Sequence, residues 1–338
     1  MTAPTPTTGL TPTVTPGSPL GTPPPAPPAA VETQTASRRL GDRVFSGLST
    51  AAGVLILVTL AGVALFLVVE SLPALTAGAE ELPGDGGFVD YLLPLLFGTV
   101  LAAVLALLFA LPLSIGIALF ISHYAPRRLA RTLGYLTDLL AAIPSVIYGL
   151  WGALVLAPYI VPSYRWLEAN LGFLPIFAGP ASANGRTILT AGVVLAVMIL
   201  PIMAAINREV FLQTPGLHEE AALALGATRW EMIRMTVLPY GKSGVIGGAM
   251  LGLGRALGET IAVLLVLSAS GGISFNLISR SNPPTIPSNI ASQFPEATGL
   301  TVNLLVATGL VLFVLTFVVN FAARAVVARR AEFDGAAG

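Results

Sequence analysis

Apolar residues gather in this chain into six windows of about 20 or more, the length a helix needs to cross a hydrocarbon layer roughly 30 Å thick. The windows cover residues 48–69, 92–121, 134–157, 187–206, 245–267 and 300–322. The second is too long to cross untilted, and Gly98, Pro112 and Gly116 supply bending points, so it reads as one bent helix. Pro144 and Pro201 interrupt the third and fourth windows. Each removes an N–H from the helical ladder and makes room for a hinge or cavity; each is equally the kind of proline that membrane helices commonly carry. The pattern predicts an all-α, polytopic membrane protein with six transmembrane helices.

Ahead of the first window, residues 1–37 consist largely of Pro, Thr and Ala and hold no apolar run of signal-peptide length. They read as a disordered tail with polyproline character, followed by a membrane domain over residues 38–330. Only 10% of the 338 residues are charged, against about 25% in a soluble domain. The 17 basic and 17 acidic residues cancel, so no net field draws nucleic acid, and contact with membrane lipid is expected. Cysteine is absent, and the two histidines, His123 and His218, lie far apart in sequence. Thiol chemistry is thereby excluded, and no metal site is expected.

Where the charges fall sets an orientation. Arg38, Arg39 and Arg43 precede the first window, Arg127, Arg128 and Arg131 follow the second, and Arg208, Arg229, Arg234 and Lys242 lie between the fourth and fifth. Arg324, Arg329 and Arg330 follow the last, while only Arg165, Arg186 and Arg280 fall on the opposite side. The basic side is cytoplasmic by the positive-inside rule, which predicts both termini in the cytoplasm of a multi-pass plasma-membrane protein. One basic residue, Arg255, belongs to neither side.

The connection between the fourth and fifth windows, NREVFLQTPGLHEEAALALGATRWEMIRMTVLPYGKSG, is not composed like a linker. After Pro215 and Gly216 come two short helical patterns that meet at Gly226, the second ending at Pro239. Thr228 with Glu231 three residues on has capping-box spacing. The result is an L-shaped element on the cytoplasmic face, over roughly 215–239. Composition alone leaves open whether it only joins two spans or projects a corner towards a partner. Glu220, Ala221 and Ala222, then Gly226, then Leu238 and Pro239 resemble the EAA signature of ABC-importer permeases, departing at Thr236 where that pattern has Ile. The resemblance implies a type I permease architecture in which this segment is the coupling helix, seated in a cleft of a cytoplasmic ATPase. The chain has no G-x-x-x-x-G-K-[ST], so it carries no P-loop of its own and is expected not to be an enzyme.

Arg255 and Glu259 lie in GRALGET, inside a stretch otherwise apolar or small. Arg255 is about ten residues, near 15 Å of helix, from the start of its window, which places it at mid-membrane. An arginine there costs at least about 2.5 kcal/mol to insert and faces protein or a water-filled path. At i and i+4 it can pair with Glu259, either as a self-satisfied structural pair or as a latch that yields to an anion. The planar guanidinium suits a tetrahedral oxyanion, since it offers two parallel donors and stays charged in an apolar site. Gly244, Gly248 and Gly252, with Gly254 and Gly258, give the helix faces for close approach to partner helices, including those of a second permease.

GLGRALGET, AAIPSVIYGLWG, VMILPI and TVLPYGKSGV together resemble the membrane subunit of phosphate-specific ABC importers, PstC type, over about residues 40–325. What that resemblance implies is a phosphate pathway through Arg255 and Glu259, with Pro144, Ser145 and Tyr148 beside it. It also implies a homologous second permease of PstA type, two copies of a cytoplasmic ATPase that binds ATP and Mg, and an extracytoplasmic phosphate-binding protein, with no cofactor on this chain. Another oxyanion, such as molybdate or sulfate, fits the same charges. A secondary transporter using Arg255 and Glu259 as an ion relay is the reading from a different class. Asp138 reads as interfacial, and Asn289–Phe294 (NIASQF) as a short outer helix, re-entrant or on the surface.

Overall fold

The computed structural model describes residues 40–83 and 86–335; the tail 1–37, with Arg38 and Arg39, lies outside the described residues. Contacts divide the chain at Leu57 into two units. In the first, the described residues 40–57 are helical and open α1 (Leu40–Thr76), where the Thr50 hydroxyl donates back to the Ser46 carbonyl.

The second unit, Val58–Gly338, contains the remaining helices. They are α2 (Gly87–Leu119), α3 (Arg127–Ala141), α4 (Ser145–Trp151), α5 (Ala157–Leu171) and α6 (Ile188–Leu212). Then come α7 (Gly216–Ala224), α8 (Arg229–Met232), α9 (Leu238–Leu257), α10 (Ile261–Val266), α11 (Ile286–Gln293) and α12 (Leu300–Gly335). Single π turns prolong α2 through Phe120–Tyr124 and join α4 to α5 through Gly152–Leu156. Among the described residues, five helical stretches are long and apolar enough to cross a membrane: Val44–Thr76, Gly87–Tyr124, Ser145–Leu171, Ile188–Leu212 and Leu300–Ala325.

α6 is the centre of the second unit. Its most apolar stretch is 67% buried inside the chain, against 22% for the corresponding stretch near the C-terminus. Ala102, Ala106 and Ala110 of α2 lie with Ala191, Leu195, Ile199 and Met203 of α6 in one buried cluster. In lipid no hydrophobic drive separates helix from tail, so association depends on close van der Waals contact, which small residues permit.

α9 also packs against α6, through its glycines. A Cβ at Gly244 would stand 2.3 Å from Val210 Cγ2, one at Gly248 3.1 Å from Asn207 Oδ1, and one at Gly252 2.7 Å from Met203 Sδ. The stripe therefore serves α6 of the same chain, and it is not the surface left for a second permease. Gly247 and Gly254 have nothing within 4 Å and mark the open side of α9.

Two predicted windows are differently placed. The third, 134–157, splits: α3 ends at Ala141, and the apolar span runs from Ser145 to Leu171. The reason is Pro144, which cannot donate to the Leu140 carbonyl and so interrupts the ladder. The fifth, 245–267, is likewise two helices, α9 and α10, separated at Gly258–Thr260.

Opposite the α7–α8 end, the polypeptide is stitched by Asn282, which is fully buried. Its Oδ1 accepts from the Ile188 N–H at 2.9 Å, and its amide donates to the carbonyls of Arg186 and Ser268. α11 is inserted rather than superficial over its first turn: Ile286, Pro287, Ser288 and Asn289 are buried, and the Ile286 N–H donates to Thr99 Oγ1 of α2 at 2.9 Å.

The glycine contacts predict opposite effects on the two sides of α9. Gly244→Ala should destabilise the purified chain by about 1–3 kcal/mol, because Val210 is β-branched and cannot swing away. Gly247→Ala should leave the melting temperature unchanged or raise it, as alanine favours helix by about 1 kcal/mol where there is space.

Candidate functional site

GRALGET holds a break in a helix. Gly258, with φ −90° and ψ 1°, leaves the helical region after Leu257, and α10 restarts at Ile261. Arg255 is thus in the last turn of α9, while Glu259 lies beyond the break. Glu259 is buried, and its Oε1 accepts from the Ala262 N–H at 3.0 Å, satisfying one of the free donors at the start of α10. Among the described residues the ion pairs are His123–Glu219 and Arg208–Asp138, so the predicted Arg255–Glu259 pair is not formed. The i,i+4 argument assumed a continuous helix, and the turn at Gly258 removes the shared face.

Arg255 is partly buried and opens on a groove of about 650 Å³ along α9. Ser243, Ile246, Gly247, Met250, Leu251 and Gly254 line it from α9, with Ile202 from α6 and Asn320, Ala323 and Arg324 from α12. The α9 residues follow helical spacing on one face, opposite the glycines that grip α6. The wall is mostly apolar, and none of the lining residues is acidic. No carboxylate on this wall competes for the guanidinium's donors.

Tyr148 is buried. Its hydroxyl donates to the Leu140 carbonyl at 2.8 Å. Pro144 has no N–H to donate there, and the Leu140 carbonyl takes the Ile143 N–H at 3.3 Å and the tyrosine hydroxyl instead. Pro144 caps α4 with an extended backbone, and Ser145 is its first residue. Gly149 of α4 lies against α10, where a Cβ would come within 2.7 Å of Ala262 Cα. The structure thus packs α4, which follows Pro144, begins at Ser145 and holds Tyr148, against α10. The sequence gave no direct sign that the two broken helices meet.

At the other end of α9 lies the segment with the EAA resemblance. α7 ends in a Schellman motif: the Ala227 N–H bonds the Ala222 carbonyl, the Gly226 N–H bonds Leu223, and Gly226 has φ +88°. α8 opens with the predicted capping box. The Glu231 N–H donates to Thr228 Oγ1 at 3.3 Å, and Glu231 Oε2 accepts from the Thr228 N–H at 2.8 Å. Ala222 is buried with Met232, Ile233 and Val237 against Phe211 of α6 and Leu119 of α2. Glu220 and Ala221 are exposed, as are Leu217, Leu225 and Trp230, with Leu225 at 89%. Pro239 does not end the second helical pattern as expected. A π turn at Ile233–Val237 passes into α9, and Pro239 stands in its first turn, where a missing N–H is harmless. Leu238 is partly buried beside it. Thr236, the departure from the motif, lies in that π turn and donates to the Met232 carbonyl at 2.7 Å. Asp138, expected at an interface, is exposed and pairs with Arg208 at 3.9 Å.

A model of the family described as "Binding-protein-dependent transport system inner membrane component" matches residues 110–332, from within α2 into α12. The chain belongs to that family. It is 47% identical over 311 residues to the phosphate transport system permease protein PstC 2 of Mycobacterium tuberculosis, across 88% of this chain and 95% of that protein. It is 46% identical to PstC of Mycobacterium leprae over 78% of this chain and 86% of that protein. For PstC of Mesorhizobium japonicum the figures are 41%, 84% and 89%. Within the family, this is a PstC-type permease. Of solved structures, a bacterial ABC transporter importing the acidic polysaccharide alginate aligns with TM-score 0.54 at 17% identity, over 86% of this chain and 96% of that one. Its complex with an alginate-bound periplasmic protein aligns with TM-score 0.55 at 17% identity, over 85% and 96%. These two share the permease's fold.

Asn320 and Arg324 were missed in the sequence. The available signal was two polar residues four apart at the end of an apolar helix, but Arg324 read only as an orientation charge.

Two predictions follow from the local geometry. Glu259→Gln keeps an acceptor for the Ala262 N–H and should leave the permease's thermal stability near that of the parent, whereas Glu259→Ala should cost about 1 kcal/mol, the usual loss for a helix cap. The Glu231 carboxyl is held below its ordinary range by bonds from the Thr228 backbone and then its side chain. Because the folded value is the lower one, the cap is at full strength above the unfolded carboxylate range, near about pH 4, and weakens as pH falls through the folded value. Amide-exchange protection of the Thr228 N–H should therefore be flat above about pH 5 and decline in acid, and Glu231→Gln should remove that dependence.

Proposed function

We propose that this chain is a membrane permease subunit of an ATP-driven importer and carries inorganic phosphate across the plasma membrane. The observation that carries this reading is the course of α9. One helix begins at the exposed corner with Glu220, Ala221, Gly226, Leu238 and Pro239, and ends at Arg255 on the groove. Movement imposed at the corner is thereby delivered to the charge that meets the anion. The names of relatives at 41–47% identity supply phosphate as the substrate.

In this reading Leu217, Leu225 and Trp230 seat the corner in a cleft of a cytoplasmic ATPase, two copies of which bind ATP and Mg. Both termini are then cytoplasmic, and α9 crosses from inside towards outside. A second permease of PstA type faces the open side of α9 and closes the groove into a path. An extracytoplasmic binding protein delivers phosphate on the far side. Arg255 supplies paired N–H donors to a phosphate oxygen pair. Tyr148, Ser145 and Pro144 lie near the path in this reading. Glu259 acts by fixing the α9–α10 break, so the Arg255 guanidinium stays directed at the path without a carboxylate to neutralise it.

Reconstitution of this chain with the second permease, ATPases and binding protein should give phosphate uptake that stops when the ATPases are inactivated. Arg255→Gln should abolish uptake while the complex still assembles. Uptake unaffected by ATPase inactivation, or normal uptake in Arg255→Gln, would overturn the reading.

A further inference from the structure

Arg255 is not the only cation on its groove. Arg324 lines the same wall from α12, together with Asn320 four residues earlier, and the two share one helical face. Three other polar side chains along α12 are already engaged. Asn303 donates to Glu70, and Thr308 and Thr316 return their hydroxyl hydrogens to the Leu305 and Phe313 carbonyls of their own helix. Asn320 makes no such bond among the described residues, and its amide stands on the groove. Across from it, Ser243 contributes a hydroxyl near the start of α9. Ser243 precedes Arg255 by 12 positions, roughly 18 Å of helix. Between these ends the wall is Ile246, Gly247, Met250, Leu251 and Ala323, with no acidic residue.

We propose that Arg324, Asn320 and Ser243 form a second anion station on the groove, taking a tetrahedral oxyanion after it leaves Arg255. The proposal rests on the phosphate-permease reading and adds the exit half of its path. A guanidinium, an amide N–H₂ and a hydroxyl supply donors around one anion, so charge and hydrogen bonding are both met. Two separated stations also answer a kinetic need. A single deep site would hold the anion, whereas a second cation downstream lowers the barrier to leaving the first.

The chain has no cysteine, so Ala323→Cys places one thiol of its own on the groove. In the full complex in vesicles, the labelling rate of that thiol by a neutral maleimide is followed on this chain as inorganic phosphate is raised, with chloride matching ionic strength. Phosphate should slow labelling. Adding Arg324→Gln or Asn320→Ala should raise the phosphate concentration needed by roughly tenfold or more, the loss expected for a charge-assisted hydrogen bond. Arg324→Lys, which keeps the charge but not the fork, should fall between. If labelling ignores phosphate, or responds identically with Arg324→Gln, the second station is wrong. Uptake by the parent complex, measured in the same vesicles, separates the two claims: its absence overturns the phosphate reading, while intact Arg255-dependent uptake with insensitive labelling overturns the second station alone.

Discussion

The contact between α6 and α9 is made through glycines, closest at Gly244 against Val210, and the rest of the site depends on it. Gly244, Gly248 and Gly252 lie against Val210, Asn207 and Met203, which fixes the rotation of α9 about its own axis. Once that face is committed, the face from Ser243 through Gly247 to Gly254 is left on the groove, which Arg255 and Ile202 of α6 also line. α6 can serve as the fixed wall because α2 also packs against it through rows of alanine. In a lipid solvent such backbone proximity supplies the packing that apolar burial supplies in water.

Two interrupted helices meet at the head of this groove. α3 stops ahead of Pro144, and α9 stops at Gly258. Both interruptions are repaired with help from a nearby side chain: Tyr148 adds a bond to the Leu140 carbonyl, and Glu259 accepts from the Ala262 N–H. The repairs explain why these residues are where they are without assigning each a contact with substrate. They also separate the roles of two charges first considered together. Glu259 is used up on the backbone, so Arg255 keeps its donors for something in the groove.

At the other end of α9 the same helix becomes the exposed corner. Its inner side is anchored by Ala222, Met232, Ile233 and Val237 against Phe211 and Leu119, and its outer side presents Leu225 and Trp230. The Schellman turn at Gly226 and the capping box at Thr228 make the corner stiff, and the π turn at Ile233–Val237 lets the chain pass Pro239 without ending the helix. A stiff corner continuous with a helix bearing the groove's charge transmits displacement, whereas a flexible linker would absorb it.

The capping box, the glycine turn and the EAA segment were legible because each is written in residues within a few positions of one another. The apolar windows were legible for the same reason, and they located α2, α6 and α12 closely. What the sequence could not settle was every question of facing. Whether the glycine stripe met α6 or another subunit, whether Arg255 met Glu259, and whether Asn320 and Arg324 belonged to the groove all depend on how distant segments rotate against each other. Local sequence determined the membrane class, the corner and the presence of an isolated arginine. Tertiary packing decided where the helices break and which face of α9 stays open, because a missing N–H or an absent Cβ permits a break or a close approach, and only the neighbours that arrive there determine which one forms.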